Sequence, residues 1–250
     1  MTRSLKRFFI SQIPSDGTNK LVLSKSETHH LERVLRLKPD DECVVFDSAG
    51  HEWRSKIVSA GKNQPVELQL VESFPSSSVK ASRLVVAQAI PQRAKMDTIV
   101  EKAAEIGISR LIPIVTERTI VRIKRDDEAQ VLNRWMSIVQ ETRKQSHSRV
   151  ATEVLAPKPF REVLSEIETD ASIYLFDPRA EKTLPEILSN FKRSAKRSIY
   201  LFIGPEGGFS KVEYDFAVQR GAIVVKLGDT ILKTDTAFVT IASVFALYLS

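Results

Sequence analysis

The sequence predicts an α/β protein, a parallel sheet covered by helices with a smaller β-rich module ahead of it. Three observations carry that expectation. From Leu84 onward, short apolar runs alternate with stretches of helical periodicity, the rhythm of strand–helix–strand crossovers. Three later runs, Ile173–Phe176, Ile199–Ile203 and Ile223–Leu227, are strongly apolar, as strands buried on both faces must be. The first 75 residues lack this rhythm and offer β-rich runs between turn residues instead.

In the first module, Ser24 and Glu27 form a capping-box pattern that opens a short helix through Leu31, Val34 and Leu35. Strands are expected at Cys43–Phe46, Trp53–Val58 and Val66–Val71, separated by Ser48-Ala49-Gly50 and Gly61-Lys62-Asn63. The break at Phe74-Pro75-Ser76-Ser77-Ser78 sets the boundary, giving domains 1–74 and 75–250.

In the larger domain, Leu84–Ala89 reads as a buried strand. Met96, Ile99, Val100, Ala103 and Ile106 fall at helical spacing from Lys95 until Gly107 ends the helix. Leu111–Val115 is the next strand, and a long helix over 127–145 lines up Val131, Trp135, Ile138 and Val139. Shorter helices are expected near 159–168, 182–193 and 210–219, with a closing helix over 234–249.

Composition excludes several classes. At 250 residues, 42% hydrophobic and 27% charged, the chain is too apolar for disorder. No apolar run reaches the roughly 20 residues of a spanning helix, so no membrane partner and a cytoplasmic location are expected. The single Cys43 excludes an internal disulfide and a cysteine-based zinc site, and the four scattered histidines suggest no metal.

The formal net charge of +6 is unevenly placed. Residues 76–160 hold 15 basic and 9 acidic side chains, while 1–75 hold 11 and 10, and 161–250 hold 11 and 12. A local basic surface is the footprint of a polyanion partner, although solvated helix faces give the same count.

Two loops, at the ends of adjacent strands, stand out where α/β sheets bind ligands. Ile203-Gly204-Pro205-Glu206-Gly207-Gly208-Phe209-Ser210 has three glycines in five positions, more than a tight turn requires. Ser210 and Glu213 then form a second capping box. Neither nucleotide phosphate-loop pattern is present. The other loop, Leu227 to Ala237, brings Thr230, Lys233, Thr234, Asp235 and Thr236 just before an apolar helix. One helix cap, the ordinary use of Thr234, does not account for them all.

Gly204-Pro205-Glu206-Gly207-Gly208-Phe209 followed by Leu227-Gly228 and Ile231-Leu232-Lys233-Thr234-Asp235-Thr236-Ala237 resembles the SPOUT superfamily of knotted methyltransferases. Within it the chain is most similar to the bacterial 16S ribosomal RNA (uracil-N3)-methyltransferase family. His30-Leu31 with Val34-Leu35-Arg36, Lys95-Met96-Asp97 with Lys102-Ala103 and Glu105-Ile106-Gly107, and Glu117-Arg118-Thr119 with Gln145-Ser146 and Ser148-Arg149 extend the resemblance over nearly the whole chain. The family commonly has Arg and Glu where this chain has Lys233 and Asp235, and often a Lys-Gly pair near Gln92 and Arg93.

The resemblance implies a PUA-like RNA-binding domain, a SPOUT domain with a C-terminal trefoil knot, and a homodimer acting on the RNA of the small ribosomal subunit. It implies S-adenosylmethionine as cofactor, held by Ile203, Gly204, Pro205, Glu206, Gly207 and Gly208 together with Leu227, Gly228, Ile231, Leu232, Thr234, Thr236 and Ala237. Methylating uracil N3 requires loss of its proton. Lys233 is the expected stabiliser of the developing charge, with Asp235 or Glu206 positioning it or taking the proton; a purely local hydrogen-bonding role for either carboxylate stays open. Candidate RNA contacts are Arg93, Lys95, Arg118, Arg122 and Arg149 from the basic third, and Arg3, Arg7, His30, Arg33 and Arg36 from the small domain. Another RNA as substrate, or an RNA-binding protein without turnover, are the alternatives.

Overall fold

The computed structural model describes residues 5–11, 18–60, 64–74, 84–92, 95–148, 150–189 and 198–249. The chain divides into two units, residues 1–79 with 140–151, and residues 80–139 with 152–250. The serine-rich stretch 76–78 lies outside the described residues.

The first unit is a five-stranded sheet. It is built from β1 (Lys6–Phe9), β2 (Lys20–Val22), β3 (Glu42–Phe46), β4 (Glu52–Ser59) and β5 (Glu67–Ser73), in the order β1-β3-β4-β5-β2. Only the pairing of β1 with β3 is parallel. β3, β4 and β5 stand where the β-rich runs fall, whereas β1 and β2 carry no sequence signal of their own. The Ser24 hydroxyl accepts from Glu27 N and caps α1 (Lys25–His29), which continues as a π-helical turn over His30–Leu35. Phe8, Leu31, Cys43, Val45, Val66 and Leu68 are fully buried in this core. Burial pushes the Cys43 thiol up to about 12, which leaves it unreactive.

The second unit holds β6 (Leu84–Ala89), α2 (Lys95–Ile106), β7 (Arg110–Val115), the first part of α3 (Arg125–Ser146), β8 (Glu153–Val154) and β9 (Lys158–Pro159). These are followed by α4 (Phe160–Ser165), β10 (Ser172–Phe176), α5 (Leu184–Ser189), β11 (Ile199–Ile203), α6 (Lys211–Gln219), β12 (Ile223–Val225) and α7 (Thr234–Leu249). The sheet order is β12-β10-β11-β6-β7-β8, with β9 beside β7. Every pairing in it is parallel.

Side chains alternate along each strand, so each face has its own core. Leu84 and Val86 join α2, α3, α5 and α7 on one face, while Val85, Ala87 and Ala89 join α4 and α6 on the other. Trp135 is buried against the first face, and its Nε1 donates to Asp97 Oδ1 at 3.0 Å.

Three expectations change. The strands that lead into the two loops are not adjacent, because β10 lies between β11 and β12. β12 is an edge strand, with Ile223 exposed, rather than one covered on both faces. The helix expected near 159–168 is shorter, the one expected from 182 begins at Leu184, and residues 190–193 lie outside the described set.

Candidate functional site

The order of the strands builds a cavity at their C-terminal ends. Phe176 of β10 sits in register with Val225 of β12 on one side and Ile203 of β11 on the other. All three belong to the core on the α7 face, and they form the floor of a cavity of about 320 Å³. Its walls are Gly204, Pro205, Glu206 and Gly208 from the glycine-rich loop, with Leu227, Gly228, Thr230, Ile231, Leu232, Lys233 and Thr234 from the other loop. Asp177 and Pro178 follow β10, and Ala237 and Ile241 of α7 close the remaining side.

Four carbonyl and carboxylate groups of the glycine-rich loop are taken by side chains or backbone from elsewhere in the unit. The Thr234 hydroxyl donates to Gly204 O at 2.9 Å, and Arg118 Nη1 donates to Gly207 O at 2.7 Å. Arg179 Nη2 donates to Phe209 O at 3.0 Å, while Gln92 N donates to Glu206 Oε1 at 3.2 Å. The loop turns on itself through Gly208 N to Pro205 O at 2.8 Å. Gly208 has φ +66°, a backbone region costly for residues with a Cβ. A Cβ on Gly204 would approach the Phe209 ring to 3.2 Å. The Ser210 and Glu213 capping box is present, and Glu213 Oε1 also accepts from Glu117 N at 2.8 Å.

Two further carboxylates near the cavity are also engaged. Asp177, buried, makes a two-point contact with Arg179 through both oxygens. Asp235 does not line the cavity; its Oδ1 accepts from Lys95 Nζ at 3.0 Å. The hydrogen bond from Lys95 holds the Asp235 carboxyl below its ordinary value, against a smaller opposing effect of desolvation. Lys233 and Glu206 are exposed at the cavity edge. Gly207 and Thr236 do not line it, and Thr234 serves the Gly204 carbonyl rather than acting as a simple helix cap.

The basic candidates separate. Arg7 is corrected outright: it is buried, ion-paired with Glu52 and stacked on the Phe46 ring, so its charge is spent inside the first unit. Arg33, Arg36 and Arg122 are exposed, as are Lys124 and Arg125 beside Arg122. His30 is half-buried and meets Phe8 edge-on. Lys95 donates to Asp235 and Arg118 donates one of its N–H groups to Gly207 O. Arg3, Arg93 and Arg149 lie outside the described residues. No cluster of metal-ligating side chains occurs among the described residues. No helix among them is long and apolar enough to cross a membrane.

Phe176, Asp177, Pro178, Val225 and Ile241 enter the site without having been expected there. Phe176 ends, and Asp177 and Pro178 follow, a strand the sequence did mark, but their place in the site depends on that strand lying between β11 and β12.

Fold and site together define a parallel α/β domain that takes a small molecule at its strand ends, joined to a β-rich unit. The chain belongs to the RNA methyltransferase family: the RNA methyltransferase domain matches residues 78–246, and the RNA methyltransferase PUA domain matches 23–68. It is 28% identical over 225 residues to ribosomal RNA small subunit methyltransferase E of Buchnera aphidicola subsp. Schizaphis graminum, covering 90% of this chain and 88% of that one. The protein of the same name from Bacillus subtilis is 23% identical over 242 residues, covering 93% of each. The crystal structure of the Neisseria gonorrhoeae protein of that name, bound to S-adenosyl methionine, has the same fold, with a TM-score of 0.83, 24% identity and 98% of each chain covered.

Proposed function

We propose that this chain transfers the methyl group of S-adenosylmethionine to N3 of a uridine in the 16S ribosomal RNA of the small subunit. The supporting observation is the cavity walled by the two loops, in a chain whose relatives are named for small-subunit ribosomal RNA methylation. At about 320 Å³ the cavity falls at the lower end of the range for small-molecule sites. Its floor of Phe176, Ile203 and Val225 suits a purine ring, and Glu206, Thr230 and Lys233 supply polar groups at its edge. The bound donor supplies a methyl group already activated by its positive sulfur, so the chain's own task is alignment.

Lys233 stabilises negative charge as the uracil loses its N3 proton. Glu206, at the cavity edge, accepts that proton, while Asp235, kept anionic by Lys95, is the weaker base and holds the first turn of α7 in place. Arg122, Lys124 and Arg125 with Arg33 and Arg36, all exposed, contact phosphate. Residues 1–74 act as the RNA-binding domain and 75–250 as the methyltransferase domain, with the knot implied by the SPOUT resemblance. The enzyme works in the cytoplasm as a homodimer. Exposed Val239 and Leu247, about 80° apart around α7, support a covered face there.

The test is a map of methylated uridines in ribosomal RNA from cells with and without this gene. Loss of one N3-methyluridine from small-subunit RNA supports the assignment. Loss from another RNA redirects it, and an unchanged map rejects it.

A further inference from the structure

Gln88 is a polar residue in a strand that is otherwise Leu, Val and Ala. It is fully buried, and burying an amide is costly unless it is hydrogen-bonded. Its place in the sheet shows what the amide does. Register puts Gln88 beside Ile203, which itself lies beside Phe176 and then Val225. Gln88 therefore extends the row that floors the cavity, one strand further in. By alternation it faces the same side as Leu84 and Val86, toward α7.

There Gln88 Nε2 donates to Thr234 Oγ1 at 3.1 Å and to Ala89 O at 2.8 Å. Thr234 Oγ1 passes its only proton on to Gly204 O at 2.9 Å. The orientation of the amide follows from its partners. Ala89 O can only accept, and the Thr234 hydroxyl has already given its proton, so both require the nitrogen. Three segments far apart in sequence, the end of β6, the glycine-rich loop and the start of α7, are thus joined by a directed chain of two hydrogen bonds. Gly204 and Thr234 both line the cavity, and Gln88 does not.

We infer that Gln88 is a positioning residue that sets the separation of the two cavity loops through Thr234, and so controls affinity for the methyl donor. This rests on the donor assignment above. Among the described residues, Gln88 Oε1 is buried with no hydrogen-bond partner, which gives the role a distinctive signature. Gln88→Met keeps the shape and removes that acceptor together with the two donated bonds, so the opposing effects leave thermal stability little changed while affinity falls. A residue that merely packs the core would lower both together or neither.

The experiment is calorimetric titration of S-adenosylmethionine into the whole protein and into Gln88→Met, Thr234→Val, Thr234→Ser and the Gln88→Met/Thr234→Val double variant. Melting temperature and amide hydrogen exchange of residues 204–210 are measured without ligand. Each single loss is expected to weaken binding by about three- to tenfold, the range of one net hydrogen bond. The double variant should lose no more than the larger single effect, and Thr234→Ser should retain near-parental affinity. Faster exchange in 204–210 should accompany Gln88→Met. Gln88→Glu provides a second variant that keeps the length: a carboxylate there draws the Thr234 proton away from Gly204 and should also weaken binding. Additive losses, or parental affinity and exchange in Gln88→Met, overturn the inference. Absence of binding by the parental protein overturns the donor assignment instead, and the exchange measurement then decides the role of Gln88 by itself.

Discussion

Lys95 Nζ lies 3.0 Å from Asp235 Oδ1, joining the first residue of α2 to the first turn of α7. The two residues were expected to act separately, one on phosphate and one on the uracil proton, yet they neutralise each other. Because the folded-state pKa of Asp235 is depressed, the contribution of the pair to stability is present above the unfolded value. It is lost as pH falls through the folded one, a window below the ordinary aspartate value of about 3.9. Lys95→Met should raise the titration midpoint of the Asp235 carboxyl carbon toward that ordinary value, as followed by NMR. An unmoved midpoint would mean that the ion pair does not form in solution.

The glycine-rich loop gives a second prediction. Gly208 sits at φ +66° with open space around a Cβ, so Gly208→Ala is strained by backbone alone and should cost about 1 kcal/mol. Gly228 also has open space, and its backbone is not in the left-handed region. Gly228→Ala should therefore leave the urea midpoint near the parental value. Equal effects would contradict the loop geometry.

Arg118 lays its stem against Gly207, with Cβ and Cδ each 3.4 Å from where a Gly207 Cβ would lie, and its guanidinium takes the Gly207 carbonyl. Arg118→Met keeps the stem and loses the bond. Binding of S-adenosylmethionine should weaken by about 1 kcal/mol, the net worth of a hydrogen bond, in calorimetry without any RNA. A residue that served only phosphate would leave this titration untouched.

Arg143 and Arg7 both stack on Phe46 in the first unit, at 4.5 and 5.1 Å from the ring centroid. Arg143 is 2% exposed, donates to Asp47 O, and is pushed down to about 10 by burial. Arg143→Ala leaves Asp47 O without its donor and opens a void beside the Phe46 ring, so it should destabilise the protein by about 3 kcal/mol. Exposed Arg33→Ala and Arg36→Ala should leave the melting temperature within about 2 °C while weakening RNA binding in a salt-dependent way.

These cases mark how far the sequence reaches. Both cavity loops were legible because their signals are local: clustered glycines after one strand, clustered hydroxyls before one helix. α7 falls where its apolar run lies, and the capping boxes at Ser24 and Ser210 form as their spacing requires. What depends on strand order was not legible. Phe176 and Asp177 join the site because β10 inserts between β11 and β12, which no periodicity encodes. Gln88 fell inside a run read only as a buried strand, and its partner lies 146 residues away. Arg7 looked like one basic residue among several, and its burial is set by Glu52, 45 residues on.

The basic excess of the middle third is also reshaped. Lys95, Arg110, Arg134, Arg143 and Lys158 each have a carboxylate partner within 4.0 Å. Arg122, Lys124 and Arg125 have none among the described residues and are exposed. The surface left for a polyanion is thus narrower than the count of charges implied.

The most direct test of the central claim is a single-turnover reaction of the purified protein with methyl-labelled S-adenosylmethionine and small ribosomal subunits, followed by digestion of the RNA to nucleosides. Label is expected in N3-methyluridine from 16S RNA, and much less of it with Lys233→Ala at saturating donor. Label in another nucleoside, or undiminished label with Lys233→Ala, would contradict that claim.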